Sequence, residues 1–271
     1  MTATQRICSK TGLALTSGPV LSYRIARESY GPLAPRLREP HTDLTIQPRD
    51  NVGSWSRYDT VGRTIYTSQE QVVAFLEMLA PYRTTVSAER RAMQPIADAM
   101  EVPLDDLWRV MVSEWGEAGN MHARWIPSNF REGRELYALE FPQGWWIDIT
   151  ATETIAALHD LFGGSWPTST GRSDELLTLS QLTGEDRVLT TAIASKLREG
   201  IELDDGTLPL GVEFISKHGR PSGATGRCWA YWMRDVDNGL DEPTTVKTSA
   251  SIELDDPAFK AALSLCKIQS R

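Results

Sequence analysis

The sequence predicts an α+β fold with mixed or antiparallel sheets and flanking helices. Residues 21–25 alternate apolar Leu21, Tyr23 and Ile25 with polar side chains, as a half-buried strand does. Other stretches repeat apolar residues with the 3.6-residue period of an amphipathic helix. These strands and helices are interspersed without the regular alternation of a doubly wound parallel sheet. The 271 residues, of which 41% are hydrophobic, suffice for one large domain or two small ones.

Composition narrows the classes of function. A net charge of −8 argues against a protein that binds the phosphate backbone, so no nucleic-acid partner is expected. No apolar run approaches the roughly 20 residues of a membrane span, and residues 1–12 lack the apolar core of a signal peptide. We therefore expect a cytoplasmic protein without a membrane partner.

Cysteine and histidine spacing predicts neither a disulfide framework nor a metal site. The sequence contains three cysteines and four histidines, all widely separated: Cys8, Cys228, Cys266, His41, His122, His159 and His218. No CxxC pair occurs, and an odd number of cysteines does not suit a disulfide scaffold. We expect no bound metal.

The rest of the chain is organised around residues 55–83. An arginine-bearing turn at Arg57 is followed by a short strand ending near Tyr66 and then by a helix. The helix is predicted to begin close to Ser68, with Gln71 completing a capping box, and to stop at Pro81. Its apolar face is expected to comprise four residues at helical spacing, Val72, Phe75, Leu76 and Leu79. Glu77 lies on the shoulder of that face, from which a carboxylate can reach the rim of a cleft.

Residues 84–130 are predicted to form a helical insertion. The first amphipathic run is broken by Pro95, and the second carries one apolar stripe consisting of Leu104, Leu107, Trp108, Met111 and Trp115. This pattern is compatible with two roles for the segment, a lid and a surface that binds a partner.

The remaining segments are predicted to contain both strands and helices. Residues 135–141 and 145–149 are β-like and separated by Pro-Gln-Gly, which favours a hairpin, and Thr150 with Glu153 predicts a second capping box. Thr183 and Asp186 are predicted to begin another amphipathic helix, which carries Val188, Leu189, Ala192, Ile193 and Leu197. Two further strands flank the glycine-rich residues 219–226, and the chain ends in a β-like run and a helix beginning around Pro257. The strand tryptophans Trp145, Trp146, Trp229 and Trp232 are expected to belong to the core.

Four segments, in order, resemble the RES domain family. They are Y-R-I at 23–25, W-S-R-Y-D at 55–59 with the following strand and helix, W-I-D-I-T at 146–150, and G-V-E-F-I-S-K-H-G at 211–219 with G-R-C-W-A-Y-W at 226–232. The family is named for its arginine, glutamate and serine, and its fold is similar to ADP-ribosyltransferases. Its studied members degrade NAD. The resemblance spans most of residues 21–233.

The resemblance implies an ADP-ribosyltransferase-like core and a set of site residues. The catalytic domain would span residues 21–234, including the insertion at 84–130, with an N-terminal extension at 1–20 and a C-terminal strand–helix extension at 235–271. NAD would be the substrate. Residue by residue, Glu77, Arg57 and Ser216 are assigned to catalysis, and Arg24, Tyr66 and Arg57 to binding NAD.

These residue types suit chemistry at the ribosyl carbon. Breaking the nicotinamide bond builds positive charge on the ribose, which the Glu77 carboxylate can stabilise. The guanidinium forks of Arg24 and Arg57 match pyrophosphate oxygens. Tyr66 can stack on nicotinamide, and the Ser216 hydroxyl can hydrogen-bond the glutamate or the substrate.

Simpler interpretations accompany each assignment. The arginines can be surface or ion-pair residues, Tyr66 can pack in the sheet, and Ser216 can be a polar residue that closes a strand. Glu70, seven residues before Glu77, is a rival carboxylate on the same helix face. His218, two residues after Ser216 on a strand, has no assured contact with it and does not by itself indicate a Ser-His dyad.

Three functions follow as hypotheses. The first is NAD breakdown by a glycohydrolase or phosphorylase, and the resemblance implies a toxin whose antitoxin partner blocks the cleft. The second is a mono-ADP-ribosyltransferase acting on a macromolecule. Such enzymes often carry Glu or Gln two residues before the catalytic glutamate, where this chain has Phe75. The third is a binding module that has kept the fold without turnover.

Overall fold

The computed structural model describes residues 4–18, 20–40, 52–83, 85–117 and 124–270. His41, His122 and the side chain of Trp115 lie outside these described residues. The strands are β1 (Gln5–Ile7), β2 (Ala14–Ser17), β3 (Leu21–Arg27), β4 (Thr64–Ser68), β5 (Trp125–Ile126), β6 (Arg134–Glu140), β7 (Trp145–Asp148), β8 (Trp166–Thr168), β9 (Gly171–Ser173), β10 (Gly211–Ile215), β11 (Arg227–Trp232), β12 (Thr245–Ser251) and β13 (Gln269–Ser270).

Helices connect and flank these strands. They are α1 (Gln71–Leu79), α2 (Val86–Ala92), α3 (Gln94–Ala99), α4 (Leu104–Glu117), α5 (Asn129–Glu132), α6 (Thr152–Leu161), α7 (Leu179–Thr183), α8 (Arg187–Gly200), α9 (Arg234–Asp237) and α10 (Pro257–Cys266). Among the described residues, no helix is long and apolar enough to cross a membrane.

One nine-stranded sheet organises the fold. Its order is β1-β2-β7-β10-β11-β4-β3-β6-β12. The β7–β10 pair is parallel and the other neighbours are antiparallel. The parallel pair requires a crossover, which α6, α7 and α8 provide between residues 149 and 210. The prediction of an α+β fold with a mixed sheet and flanking helices is confirmed.

The central helix α1 begins later than predicted. Ser68 is the last residue of β4, where it pairs with Tyr23 and its hydroxyl lies 3.4 Å from Cys228 Sγ. The helix starts at Gln71, and its N-cap, Glu70, makes no side-chain cap bond. The predicted capping box is therefore wrong, because strand pairing holds the serine. The end of the helix before Pro81 is confirmed, as is burial of its apolar face.

Two local predictions after residue 130 are wrong. Strands β6 and β7 do not form a hairpin, because β6 pairs with β3 and β12 whereas β7 pairs with β2 and β10. Thr150 does not cap α6. Its hydroxyl donates to Asp148 Oδ1 at 2.7 Å, and the N-cap position is Ala151.

Other local predictions are confirmed. Asp186 caps α8 by accepting hydrogen bonds from the backbone N–H groups of Val188 and Leu189. Thr183 does not begin this helix, because it is the last residue of the separate helix α7. Strands β10 and β11 are antiparallel neighbours joined by the glycine-rich loop. Of the four strand tryptophans, Trp146, Trp229 and Trp232 are fully buried and Trp145 is partly buried.

The two ends of the chain contribute opposite edges of the same sheet. Strand β1 forms one edge and β12 the other. Helix α10 packs against α1, with the Phe75 and Phe259 ring centroids 5.2 Å apart. Described residues of 1–20 and of 235–271 thus complete the sheet or its helical cover. Both segments are therefore structurally continuous with residues 21–234. The division into a catalytic domain and two extensions stays a prediction.

The described residues of the segment predicted as an insertion form α2, α3 and α4, followed by β5 and the start of α5. Helix α2 ends at Ala92, three residues before Pro95, and α3 begins with that proline in its first turn. Several apolar side chains here are exposed, including Val86, Ile96, Met100 and Val110. A role as lid or partner surface stays a prediction.

Three apolar clusters hold the sheet to its helices. The largest joins α6 and α8 to β2, β7, β10 and β11, and a second joins α1 and α10 to β3 and β6. A third consists mainly of strand residues, including Ile65, Leu139 and Trp146. The candidate site lies in a cleft that is lined by residues of β4 and α1 and by Arg187, the first residue of α8.

Candidate active site

An open cleft lies where strands β3 and β4 separate. The described parts of these strands pair at one position, Tyr23 opposite Ser68. The next residues along each strand, Arg24 with Ile25 and Tyr66 with Thr67, line a cleft of about 660 Å³. Helix α1, the turn at 55–57 and the loop after β10 complete its walls. The split in the sheet thus brings distant parts of the chain to one cavity.

Glu77 and Ser216 form a direct hydrogen bond in this cleft. The Ser216 hydroxyl donates to Glu77 Oε1 at 2.5 Å, and it accepts the backbone N–H of His218 at 3.1 Å. Ser216 is buried, whereas the Glu77 side chain is 31% exposed and lines the cleft. One carboxylate oxygen is therefore held by the protein while the carboxylate stays accessible to a ligand.

The rival carboxylate, Glu70, is engaged elsewhere. Its Oε1 accepts hydrogen bonds from the backbone N–H and the hydroxyl of Thr225, both at 2.8 Å. These bonds anchor the glycine-rich loop between β10 and β11 to the start of α1. Glu70 is not among the residues that line the cleft. The geometry therefore favours Glu77 as the carboxylate that meets a ligand.

His218 belongs to the site, although the sequence did not indicate it. Its Nε2 lies 3.8 Å from Glu77 Oε2, the carboxylate oxygen that Ser216 does not hold. Burial lowers the pKa of His218 below its ordinary value, and the Glu77 carboxylate opposes this shift. The imidazole is thus predominantly neutral at pH 7. His218 thus contacts Glu77 through its imidazole, and it contacts the Ser216 hydroxyl through its backbone N–H.

Arg57 is buried in the wall of the cleft. Only 7% of the residue is exposed, and its guanidinium carbon lies 5.5 Å from the centroid of the Phe214 ring. Its Nη1 is buried and has no hydrogen-bond partner within the described part of the chain. A buried donor without a partner costs free energy. A ligand acceptor in the cleft would satisfy it.

Asp59 holds the turn that carries Arg57. Its Oδ2 accepts from Arg38 Nε and from the Ser56 backbone N–H, each at 2.9 Å, and its Oδ1 accepts from the Tyr66 hydroxyl at 2.9 Å. Asp59 is nearly fully buried. The motif W-S-R-Y-D contains this residue, but its role required the tertiary contacts to Arg38 and Tyr66.

Contacts at both the hydroxyl and the ring hold the Tyr66 side chain in place. The hydroxyl donates to Asp59 and accepts the Tyr58 backbone N–H at 3.2 Å, and the ring lies edge-on to Phe214 at 6.5 Å. Burial, and secondarily the Asp59 carboxylate, raises the pKa of Tyr66 well above its ordinary value. Its phenol therefore stays protonated, and its ring forms part of the cleft wall.

Arg24 bridges the gap between the separating strands. Its Nη1 donates to the Tyr66 carbonyl at 3.0 Å, taking the place of a ladder hydrogen bond. Burial lowers the pKa of Arg24 to about 10, so it stays charged at neutral pH. Its Nε is buried and has no partner among the described residues. Arg24 thus combines a structural bond with a free donor at the cleft.

Two further cations line the cleft without having been predicted. They are Arg187, at the start of α8, and Lys217, after β10. Both contact Glu185, with an Arg187 Nη2 to Glu185 Oε2 distance of 2.5 Å. With Arg24 and Arg57 the lining carries four cations, against Glu77 as its carboxylate. In a chain of net charge −8, this concentration favours an anionic ligand.

Buried polar atoms without a partner cluster at the cleft. Arg24 Nε, Arg57 Nη1 and Thr67 Oγ1 are three such atoms of the described residues, and all three residues line the cavity. Native interiors leave few polar atoms unsatisfied, and those that are unsatisfied often belong to binding sites. Of the five residues predicted from the sequence, Arg24, Arg57, Tyr66 and Glu77 line one cavity with unused hydrogen-bonding capacity. Ser216 is buried behind the cavity wall and bonds to Glu77.

Comparisons with known proteins add little to this geometry. No protein-family model and no curated protein matches the chain. Among solved structures, the fold is similar to a chain from the crystal structure of the M. tuberculosis MbcT–MbcA toxin–antitoxin complex. The TM-score is 0.39, with 10% sequence identity over 93% of this chain and 92% of that one. At this level of similarity, function must be argued from the site itself.

Proposed function

We propose that the protein consumes NAD by cleaving the bond between nicotinamide and ribose. The observation that carries the proposal is the Ser216–Glu77 hydrogen bond, which presents an accessible carboxylate inside a cationic cleft. A dinucleotide has the matching features: a ribosyl carbon that becomes positive on bond cleavage, and a pyrophosphate with two negative charges.

Glu77 would act on the ribose. As the C–N bond breaks, its electron pair stays with the nicotinamide nitrogen, which becomes neutral, and the ribose develops oxocarbenium character. A preoriented carboxylate beside this carbon stabilises the developing charge. The Ser216 hydroxyl fixes Glu77 Oε1 and so leaves Oε2 for the substrate. An acceptor, water in a glycohydrolase or phosphate in a phosphorylase, then forms the new bond to the carbon.

The arginines would bind the pyrophosphate. Arg57 Nη1 and Arg24 Nε are the buried donors without protein partners, and planar guanidinium groups bind phosphate oxygens well. Arg187 and Lys217 add charge on another wall of the cleft. Tyr66 would contribute its ring surface, since its hydroxyl is already committed to Asp59.

A mono-ADP-ribosyltransferase is the second candidate, and one contact weighs against it. Phe75 occupies the position where such enzymes often carry the residue that orients the acceptor. It is fully buried and packs on Phe259 of α10, 5.2 Å between ring centroids. This position therefore faces the interior, which favours NAD breakdown.

The resemblance to RES proteins further supports a toxin whose partner is an antitoxin that blocks the cleft.

The test is NAD turnover by the purified protein, with products identified in the presence and absence of phosphate. Glu77→Gln keeps the shape of the side chain and removes its charge, so turnover should fall at least a hundredfold. Glu114→Gln, at an exposed position of α4, is the charge-matched control. Absence of turnover and of NAD binding in the wild type would leave the binding module as the surviving hypothesis.

A further inference from the structure

A second cavity lies beside the cleft at the C-terminal end of β3. Its volume is about 450 Å³. Arg24 and Ile25 of β3 line the first cleft, and Arg27, two residues further, lines the second. Pro81 likewise lines the first and Tyr82 the second. Because nearby residues of the same two segments line both cavities, the second cavity lies next to the first.

Two arginines lie side by side on adjacent strands and both face this second cavity. Arg27 of β3 and Arg134 of β6 are direct cross-strand partners, and both line the cavity. Like charges directly opposite each other in a sheet are destabilising. Within the described ranges neither arginine forms an ion pair, and the one acid in the lining, Glu28, pairs with neither. The protein therefore leaves a pair of like charges uncompensated beside an open cavity.

Arg134 is held in a defined orientation. Its guanidinium carbon lies 4.7 Å from the centroid of the Phe130 ring, and its Nη1 donates to the Phe130 carbonyl at 2.6 Å. Burial and the neighbouring Arg27 lower the pKa of Arg134. Tyr82 packs edge-on against Phe130 at 5.7 Å and forms another wall. A fixed guanidinium, a nearby second one and an aromatic wall make a prepared site for an anion.

We propose that this second cavity binds a phosphomonoester dianion. A phosphomonoester carries nearly two negative charges and three acceptor oxygens, which matches two neighbouring guanidinium groups better than a single carboxylate does. The phosphate could belong to a free ligand or to the substrate of the adjoining cleft. This assignment rests on the proposed function: the phosphate that binds here is the 2′-phosphate on the adenosine ribose of NADP. Arginine is the residue type that accommodates this phosphate in dinucleotide sites.

The site is tested first without enzyme activity, by calorimetric titration with 2′-AMP and with adenosine. Wild type should bind 2′-AMP and not adenosine at the same concentrations. Arg27→Gln should weaken 2′-AMP binding at least tenfold, whereas Arg109→Gln, whose side chain is 78% exposed on α4, should leave it unchanged. Unchanged affinity in Arg27→Gln, or an equal loss in Arg109→Gln, overturns the site. Thermal unfolding of each variant checks that it is folded.

The source of the phosphate is tested by turnover. The ratio of kcat/KM for NADP to kcat/KM for NAD should exceed one in the wild type and fall about tenfold in Arg27→Gln, with the NAD value little changed. If 2′-AMP binding depends on Arg27 but this ratio does not, the substrate assignment is overturned and a separate phosphorylated ligand is indicated. If neither dinucleotide is consumed, the proposed function fails, while the 2′-AMP titration still decides the phosphate site.

Discussion

The Ser216 hydroxyl donates a 2.5 Å hydrogen bond to Glu77 Oε1, across 139 residues of sequence. Ser216 closes a central strand, and Glu77 lies near the end of the helix that follows β4. The bond therefore ties α1 to the middle of the sheet and fixes the orientation of the carboxylate. The serine is buried and the glutamate side chain is 31% exposed, so under the proposed function this bond would position the carboxylate that meets the ligand.

Ser216→Ala should reduce kcat more than it raises KM. A hydrogen bond to a charged group contributes about 1.5–3 kcal/mol, so kcat should fall roughly tenfold to a hundredfold. Steady-state kinetics of NAD turnover measure this. Ser264→Ala, at an exposed position of α10, is the control. Wild-type kcat in Ser216→Ala would show that Glu77 does not depend on this bond.

Asp59→Asn should destabilise the fold and loosen the turn that carries Arg57. The change leaves the Arg38 guanidinium partly buried without its counter-charge, with side-chain exposures of 15% for Arg38 and 5% for Asp59. Breaking such a buried pair costs about 3 kcal/mol of the free energy of unfolding. Urea denaturation measures the loss, with the exposed Asp255→Asn as control. A loss no larger than in the control would show that Asp59 is not needed to hold the turn.

Much of the fold was predictable because its signals are local. Asp186 caps α8 through its own neighbouring N–H groups, and the apolar spacing of Val72, Phe75 and Leu76 specifies the buried face of α1. Ser68 shows the limit of such signals. The same serine suits an N-cap or a strand end, and only the pairing with Tyr23 from 45 positions earlier decides between them. The β6–β7 hairpin was wrong for the same reason, since partners distant in sequence claim both strands.

Site residues were predictable where the family motif assigns them a role, and they were not predictable where only the packing of distant segments brings them to the cleft. The five predicted residues stood in segments that resemble a family. Arg24, Arg57, Tyr66 and Glu77 line one cavity, and Ser216 bonds to Glu77. Arg187 lies in no such motif, and its position follows from how α8 packs. Lys217 and His218 stand inside the segment at 211–219, but the resemblance assigns them no role, and the contact of His218 with Glu77 depends on where α1 lies relative to β10.

Asp204→Asn should lower stability at neutral pH and less so in acid. Asp204 accepts hydrogen bonds from the Ser9 N–H, the Ser9 hydroxyl and Arg6, which hold its pKa well below the ordinary 3.8. A depressed carboxyl pKa contributes stability that is fully present above 3.8 and is lost as the pH falls through the folded-state pKa. Thermal unfolding should therefore show a Tm gap to the wild type that is constant from pH 7 to pH 5 and narrows below pH 3.8. A gap independent of pH would show that the charge of Asp204 contributes nothing.

The protonation of His218 depends on groups from several elements. Glu77 of α1 favours the charged form, whereas Lys217 beside it, Arg57 of the cleft wall and Arg83 after α1 oppose it, and burial opposes it most. The pKa therefore lies below 6.5, and His218 becomes charged only when the pH falls below that value. A charged imidazole 3.8 Å from Glu77 Oε2 would form an ion pair with the carboxylate oxygen that the proposed function assigns to the substrate.

Turnover should therefore decline as the pH falls below 6.5, and His218→Gln should remove that part of the decline. Glutamine keeps a polar side chain at this position but cannot become charged, so Glu77 Oε2 stays available in acid. The measurement is kcat/KM for NAD from pH 5 to 8 in both proteins, with His159→Gln on α6, outside the cleft, as the control. The wild type and His159→Gln should share one acidic limb, and His218→Gln should show a flatter one. Coincident profiles for all three would show that His218 does not govern Glu77.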